Sequence, residues 1–275
     1  MGLLPSQDGQ SNQTEFSILC CTVMSRVSIV IPTLNEAGCL GRTLRCLSVL
    51  NPPAQEIVVV DGGSSDETLA IVENFCQTME DTTAVHVLLA KQRGRSLQLN
   101  QGAAFATGDI LCFLHADTLV PDDLVSVIDK TLANPKIACG GFISLMTGPE
   151  TTRWGISLHN FLKTYYAPLL FRPHLFFLKG MRLLFGDQVM FCRRHDFWDC
   201  GGFDPALPIM EEADLCLKLV KRGRICQVNR VVQSSDRRVA KWGALKATAI
   251  YAYVGLLWGV GVPATLLKQV YDEIR

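Results

Sequence analysis

Three short apolar runs, each followed at once by a turn that carries an acid, constrain this chain more than any bulk property. Residues 27–31 read Val, Ser, Ile, Val, Ile and stop at Pro32; residues 56–60 read Glu, Ile, Val, Val, Val and lead into Asp61, Gly62 and Gly63. Residues 110–114 read Ile, Leu, Cys, Phe, Leu and lead into His115, Ala116 and Asp117. Runs of this length bounded by turn residues fit strands buried on both faces of a parallel sheet. Between the first two, Leu40, Leu44, Leu47 and Leu50 recur at helical spacing until Asn51, Pro52 and Pro53 end the helix. Ser65 or Asp66 starts a second helix reaching Gln77, residues 85–90 form a further strand, and residues 96–107 a further helix. This alternation predicts an α/β fold, a Rossmann-like and mostly parallel sheet flanked by helices. Ligands of such sheets bind beyond the carboxyl ends of the strands, so Asp61 and Asp117 are expected to share one crevice.

Composition narrows the function classes. Lys plus Arg number 26 and Asp plus Glu 26, so no basic field recruits nucleic acid. Hydrophobic residues make up 48 % of the 275 positions, enough for a large core with apolar surface to spare. The 11 cysteines are scattered without a CxxC pair, which fits neither a zinc site nor a secreted disulfide framework and points to reduced thiols in the cytoplasm. Residues 1–25 turn from polar to apolar without a basic n-region, and the expectation is a disordered extension before a domain over 26–240 and an apolar helical segment over 241–275.

Four ordered motifs carry the chemistry. Pro32, Thr33, Leu34, Asn35 and Glu36 follow the first strand, and Asp61, Gly62, Gly63, Ser64, Ser65 and Asp66 the second. Phe113, Leu114, His115, Ala116, Asp117 and Thr118 close the fourth strand, and Met210, Glu211, Glu212, Ala213, Asp214 and Leu215 follow a Gly201-Gly202-Phe203-Asp204-Pro205 turn. A strand followed by a DGxS-type turn is by itself equally a capped turn, and Glu211 and Glu212 are also good residues for a helix start. In this order the motifs resemble the inverting family 2 glycosyltransferases of the GT-A fold, over roughly residues 26–240. The form FLHADT is typical of one bacterial subgroup.

The resemblance implies a hexosyltransferase that uses a nucleotide-sugar donor, UDP-linked by preference, and a divalent cation, Mn2+ or Mg2+. It implies that Pro32, Asn35, Glu36 and Asp61 line the nucleotide pocket with Arg95 nearby, and that Arg238, with Arg237 beside it, contacts the diphosphate. It also implies that Asp117 is the metal-binding acid, with His115 as the second metal ligand where an acid usually stands, and that Glu212, or else Glu211, is the general base. Chemistry agrees: a departing diphosphate is neutralised by a hard cation on carboxylate oxygens, and an acceptor hydroxyl needs a base. Two rival readings are a catalytically degenerate GT-A fold acting as a scaffold or nucleotide-binding protein, and a nucleotidyltransferase. The second expects a basic glycine-rich loop after the first strand, where this chain has Pro, Thr, Leu, Asn and Glu.

Two apolar stretches bear on the acceptor. Residues 161–185 mix Tyr165, Tyr166, Phe171, Phe176 and Phe177 with Lys163, Arg172, Lys179 and Arg182, which suits an interface helix, an acceptor groove or plain packing on the sheet. Residues 247–267 carry no charge and are long enough to span a bilayer, yet Gly255, Gly259, Gly261 and Pro263 favour a surface or core-packed hairpin. The expectation is a protein at most peripheral on the inner face of the cell membrane, whose acceptor hydroxyl or carboxyl sits on a lipid or isoprenoid.

Overall fold

The computed structural model describes residues 24–78, 83–148 and 151–274, so the amino-terminal extension lies outside the described residues apart from its last two positions. The strands are β1 (Val27–Thr33), β2 (Glu56–Asp61), β3 (Ala84–Leu89), β4 (Ile110–Phe113), β5 (Thr118–Leu119), β6 (Ile137–Thr147), β7 (Met190–Arg193) and β8 (Arg224–Ser235). The helices are α1 (Leu40–Leu47), α2 (Thr68–Thr78), α3 (Arg95–Phe105), α4 (Leu124–Leu132), α5 (Trp154–Phe171) and α6 (Pro173–Lys179). They continue as α7 (Arg194–Asp199), α8 (Glu211–Leu219), α9 (Arg237–Trp242), α10 (Ala244–Gly259) and α11 (Ala264–Ile274). One sheet of 8 strands runs in the order β3-β2-β1-β4-β7-β6-β8-β5.

The first four strands are parallel, as the alternation predicts, and the sheet turns mixed beyond them. β7 lies antiparallel between β4 and β6, β6 pairs parallel with β8, and β5 pairs antiparallel with β8. The parallel half has buried strands on both faces. Ile29, Ile31, Ile57 and Val59 pack into one cluster and Val30, Val58 and Val60 into the other, all fully buried. Each such side chain contributes roughly 1.5–3 kcal/mol relative to exposure.

β1 runs through Pro32 to Thr33, two residues further than the proline seemed to allow. In a parallel strand alternate residues bond to alternate neighbours, and Val30 O accepts Leu114 N on the β4 side. β4 pairs with β1 no further than Val30, so the N–H that Pro32 lacks faces no partner strand. Of the two candidate caps for α2, Asp66 serves: its Oδ1 accepts the Thr68 N–H at 3.1 Å, and Thr68 opens the helix. The apolar run 247–267 is split between α10 and α11 around Gly261, at φ +96°, and Pro263. Among the described residues no helix is long and apolar enough to cross a membrane.

One buried acid ties the floor of the sheet together. Glu56, 2 % exposed, accepts bonds from Ser28 Oγ at 2.6 Å, Thr107 N at 2.6 Å and Thr107 Oγ1 at 2.8 Å, linking the starts of β1 and β2 to the turn before β4. Burial would push its pKa up, but these bonds outweigh it and hold the carboxyl below its ordinary value. A depressed acid contributes stability above its unfolded pKa that is lost as pH falls through the folded value. Glu56→Gln is therefore expected to lower unfolding stability by about 1–3 kcal/mol at pH 7. In urea titrations the gap to the wild type should narrow below about pH 4; a constant gap would remove charge from the explanation.

Candidate active site

The carboxyl ends of β1, β2 and β4 open on the same side, and the loops that follow them bring the expected residues together. Thr33 and Asp61 are register partners at the ends of β1 and β2. Gln98 on α3 clamps this edge by donating to Thr33 O at 2.9 Å and to Val60 O at 2.8 Å. Asp61 is fully buried, and its oxygens are taken by protein donors: Gly63 N at 2.9 Å, Ser64 N at 2.8 Å, Ser64 Oγ at 2.5 Å and Thr33 Oγ1 at 3.3 Å. Its carboxylate shapes the loop in this structure and turns no bonding capacity outward. Asn35, at φ +55°, links the two loops, its N–H on Ser64 Oγ and its Oδ1 accepting Ser65 N–H, each at 2.8 Å. Pro32 lies partly buried in β1 beneath this loop.

Two guanidinium groups organise the acids. Arg237, at the start of α9, places Nη2 at 2.8 Å from Glu36 Oε2 and at 2.8 Å from Asp117 Oδ2. Burial works against its charge, yet the bonds to Asp117 and Glu36 carry its pKa above the ordinary arginine value. The residue before it, Asp236, is buried and held by Arg153 Nε at 2.7 Å, so the arginine is aimed from a fixed base. Gly148 is needed there because any Cβ would meet the Asp236 carboxylate oxygens at 2.7 and 2.8 Å. The side chain of Arg238, the residue expected to contact the diphosphate, lies outside the described residues, and Arg237 occupies the position between the acids.

Arg95, the first residue of α3, forms the second centre. Its Nη2 meets both Glu212 Oε1 and His115 Nε2, and its Nε lies 3.4 Å from Glu211 Oε1. Burial lowers the pKa of Arg95, but the charges of Glu212 and Glu211 more than compensate. His115 Nε2 is 4.0 Å from Glu212 Oε1, so the imidazole belongs with the base candidates while Asp117 belongs with Arg237. An arginine only donates, so the imidazole nitrogen facing it accepts. Among the described residues no three His, Cys, Asp or Glu side chains are grouped to hold a metal ion. The donor set around Asp117 nevertheless suits one: two carboxylates already converge on a single positive charge, and a divalent cation completes its shell with phosphate and water oxygens.

Features that motif reading passed over sit in the same place. A Cβ on Gly186 would run into Arg95, His115 and Glu212, so the backbone itself forms a wall of the site. Asp187 next to it is pushed above the usual carboxylate range by burial, against the pull of the Lys163 ammonium. Among the described residues, those other than glycine at positive φ are Asn35, Val189 and Met210, at +55°, +50° and +68°, and each adjoins a site loop. Backbone strain of this kind persists where surrounding structure over-determines it and gathers at functional sites. Met210 immediately precedes Glu211 and Glu212, which enter α8 buried, at 5 % and 8 % exposure.

Known proteins agree with this architecture. A glycosyltransferase of PGL/p-HBAD biosynthesis from Mycobacterium bovis is 39 % identical over 90 residues, covering 33 % of this chain and 34 % of its own. A poly-beta-1,6-N-acetyl-D-glucosamine synthase from Staphylococcus epidermidis is 30 % identical over 112 residues, 40 % of this chain and 26 % of that enzyme. The chain thus matches between a quarter and about a third of the length of these curated relatives. Among solved structures, a mannosyltransferase from Pyrobaculum calidifontis in complex with GDP-Man and Mn2+ superposes with a TM-score of 0.62 at 23 % identity, over 85 % of this chain and 63 % of that one. Glucosyl-3-phosphoglycerate synthase from Mycobacterium tuberculosis, in complex with Mn2+, UDP and phosphoglyceric acid, gives 0.59 at 20 % identity, over 87 % and 80 %. At these identities the superpositions speak for a shared GT-A-like fold. The family model for glycosyl transferase family 2 matches residues 28–201, and with the sheet order and the acids in place at the strand ends, the chain belongs to that family.

Proposed function

We propose that the chain transfers a sugar from a nucleotide-sugar donor, UDP-linked by preference, to an acceptor hydroxyl or carboxyl by a single inverting displacement. The observation that carries this reading is the pairing of two charge centres in one crevice: Glu36 and Asp117 on Arg237, and Glu211, Glu212 and His115 on Arg95. The relatives at this fold hold GDP-Man or UDP with Mn2+ or Mg2+, which supports the same donor class here. Pro32, Asn35, Glu36 and the loop shaped by Asp61 would border the nucleoside.

Asp117 would hold the divalent cation, with Glu36 at its flank. When bound, that cation supplies positive charge against the diphosphate as it departs. Arg237 then has an anionic partner in the diphosphate in place of the two acids, and a guanidinium can take two phosphate oxygens at once. Glu212 would accept the proton of the acceptor oxygen as that oxygen attacks the anomeric carbon from the face opposite the nucleotide. Arg95 orients Glu212 through its Nη2, and Gly186 leaves the space in which both side chains lie. Exposed Leu245, Leu178 and Phe177 on α10 and α6 support a peripheral membrane position for the protein.

Calorimetric titration with UDP, GDP and their sugar conjugates, with and without Mn2+, tests the reading. Metal-dependent binding of one nucleotide is expected; no binding to any of them would leave the scaffold reading in its place. Asp117→Ala should abolish the metal dependence, and unchanged UDP affinity with Mn2+ would move the cation site elsewhere. Glu212→Gln should retain donor binding while turnover falls about 100-fold or more, as for loss of a general base. If Glu211→Gln is the more damaging change in single-turnover assays, the base is Glu211. Gly186→Ala, by crowding Arg95 and Glu212, should also cut turnover at least tenfold, since small displacements of positioned groups are costly; wild-type turnover would show that the wall is not needed.

A further inference from the structure

Between α5, the segment 181–185, α8 and α10 lies a cavity of about 310 Å3. Tyr166, Phe171, Phe185, Leu217 and Trp258 line it, with Lys163 among them. Protein interiors contain few voids larger than a water molecule, so a hollow of this size, walled mostly by apolar groups and open at its rim, is a departure from close packing. The volume falls at the lower end of the range of small-molecule sites.

The wall is built in. Pro168 in α5 has no N–H to give to Thr164 O, and Leu183 N takes that carbonyl instead at 3.2 Å, docking the segment 181–185 along the helix. Two of the lining residues lead directly into the candidate active site. Phe185 precedes Gly186, whose backbone lies against Arg95, His115 and Glu212, and Met210 precedes Glu211 and Glu212. Lys163 connects the two regions: its Nζ is 3.7 Å from the centre of the Phe185 ring and 3.4 Å from Asn160 Oδ1, and Asn160 donates to Asp187 Oδ2 at 3.3 Å. The outer rim is exposed and apolar, with Leu170 at 67 % and Leu256 at 52 %.

We propose that this cavity holds the hydrocarbon chain of the acceptor, an amphipathic molecule with a long aliphatic or isoprenoid tail whose nucleophilic oxygen reaches toward Glu212. The proposal rests on the transferase reading above and specifies its acceptor class. A dry wall of aromatic and aliphatic groups recognises a methylene chain by burial alone, and the polar groups at the inner end recognise its head. The exposed apolar rim gives such a tail a continuous path out to a lipid surface.

The experiment is calorimetric titration of the full chain with 1-hexanol, 1-octanol and 1-decanol, beside titrations with UDP and with GDP, each with Mn2+, on the same sample. Affinity is expected to rise about fourfold with each added methylene. Gly255 lines the cavity and a Cβ there meets nothing within 4 Å, so Gly255→Leu adds apolar volume at the wall and replaces a poor helix former. The folded variant should bind 1-decanol at least tenfold more weakly. Equal affinity for the three alcohols, or wild-type affinity for 1-decanol in the variant, would overturn the proposal; should the variant not fold, the wild-type chain-length series decides alone. Chain-dependent alcohol binding without binding of either nucleotide would instead defeat the transferase reading and with it the acceptor role, whereas nucleotide binding without chain dependence removes the cavity assignment only.

Discussion

The structure depends on keeping four carboxylates in a low-water crevice, and two arginines make that arrangement stable. Removing a charge from water costs several kcal/mol unless it is paired, so Glu211 and Glu212, both nearly buried, require Arg95. Arg237 pairs with Glu36 and Asp117, which are only partly buried, so there attraction between the charges matters more than burial. The two pairings differ in permanence. Arg95 grows from the first turn of α3, a helix packed on β1 and β2, whereas Arg237 comes from the short helix α9 beyond β8 and is more exposed.

Around these clusters the fold supplies edges. The parallel order β3-β2-β1-β4 puts the ends of β1, β2 and β4 together, and the reversed β7 then brings Gly186 to the Arg95 cluster from the other half of the sheet. The positive-φ residues Asn35, Val189 and Met210 stand at these junctions, where the chain must turn sharply to aim a polar group. The apolar cavity is a product of the same junction. The segment that contributes Gly186 to the candidate active site also contributes Phe185 to the cavity, so the two share a wall.

Much of the parallel half was legible because its signals are local. Continuous β-branched runs at 27–31 and 56–60 can be buried only on both faces, and Asp61 and Asp117 follow strand ends that a parallel sheet must align. The helix of Leu40, Leu44 and Leu47 appears as spaced, with those three side chains buried. The mixed half carried no such signal: a strand reads the same forwards and backwards in composition, so the antiparallel placement of β7 was invisible. Pro32 misled for a related reason, because whether its missing N–H matters depends on how far the neighbouring strand extends.

The sequence by itself determined the fold class, the family and which acids follow the strand ends, because each rests on residue type and short-range order. Tertiary structure alone decided which cation meets which acid: Arg237 on Glu36 is a contact across 201 positions, Arg95 on Glu212 one across 117, and neither has a periodic or local signature. It also decided that Asp61 spends its bonds on its own loop, that His115 faces Glu212 and Arg95 while Asp117 faces Arg237, and that Gly186 matters because three side chains occupy the space a Cβ would fill. The reason is general to such sites: charge pairing and close approach are set by distances between elements, and chain order encodes those distances only through the packing of the whole sheet.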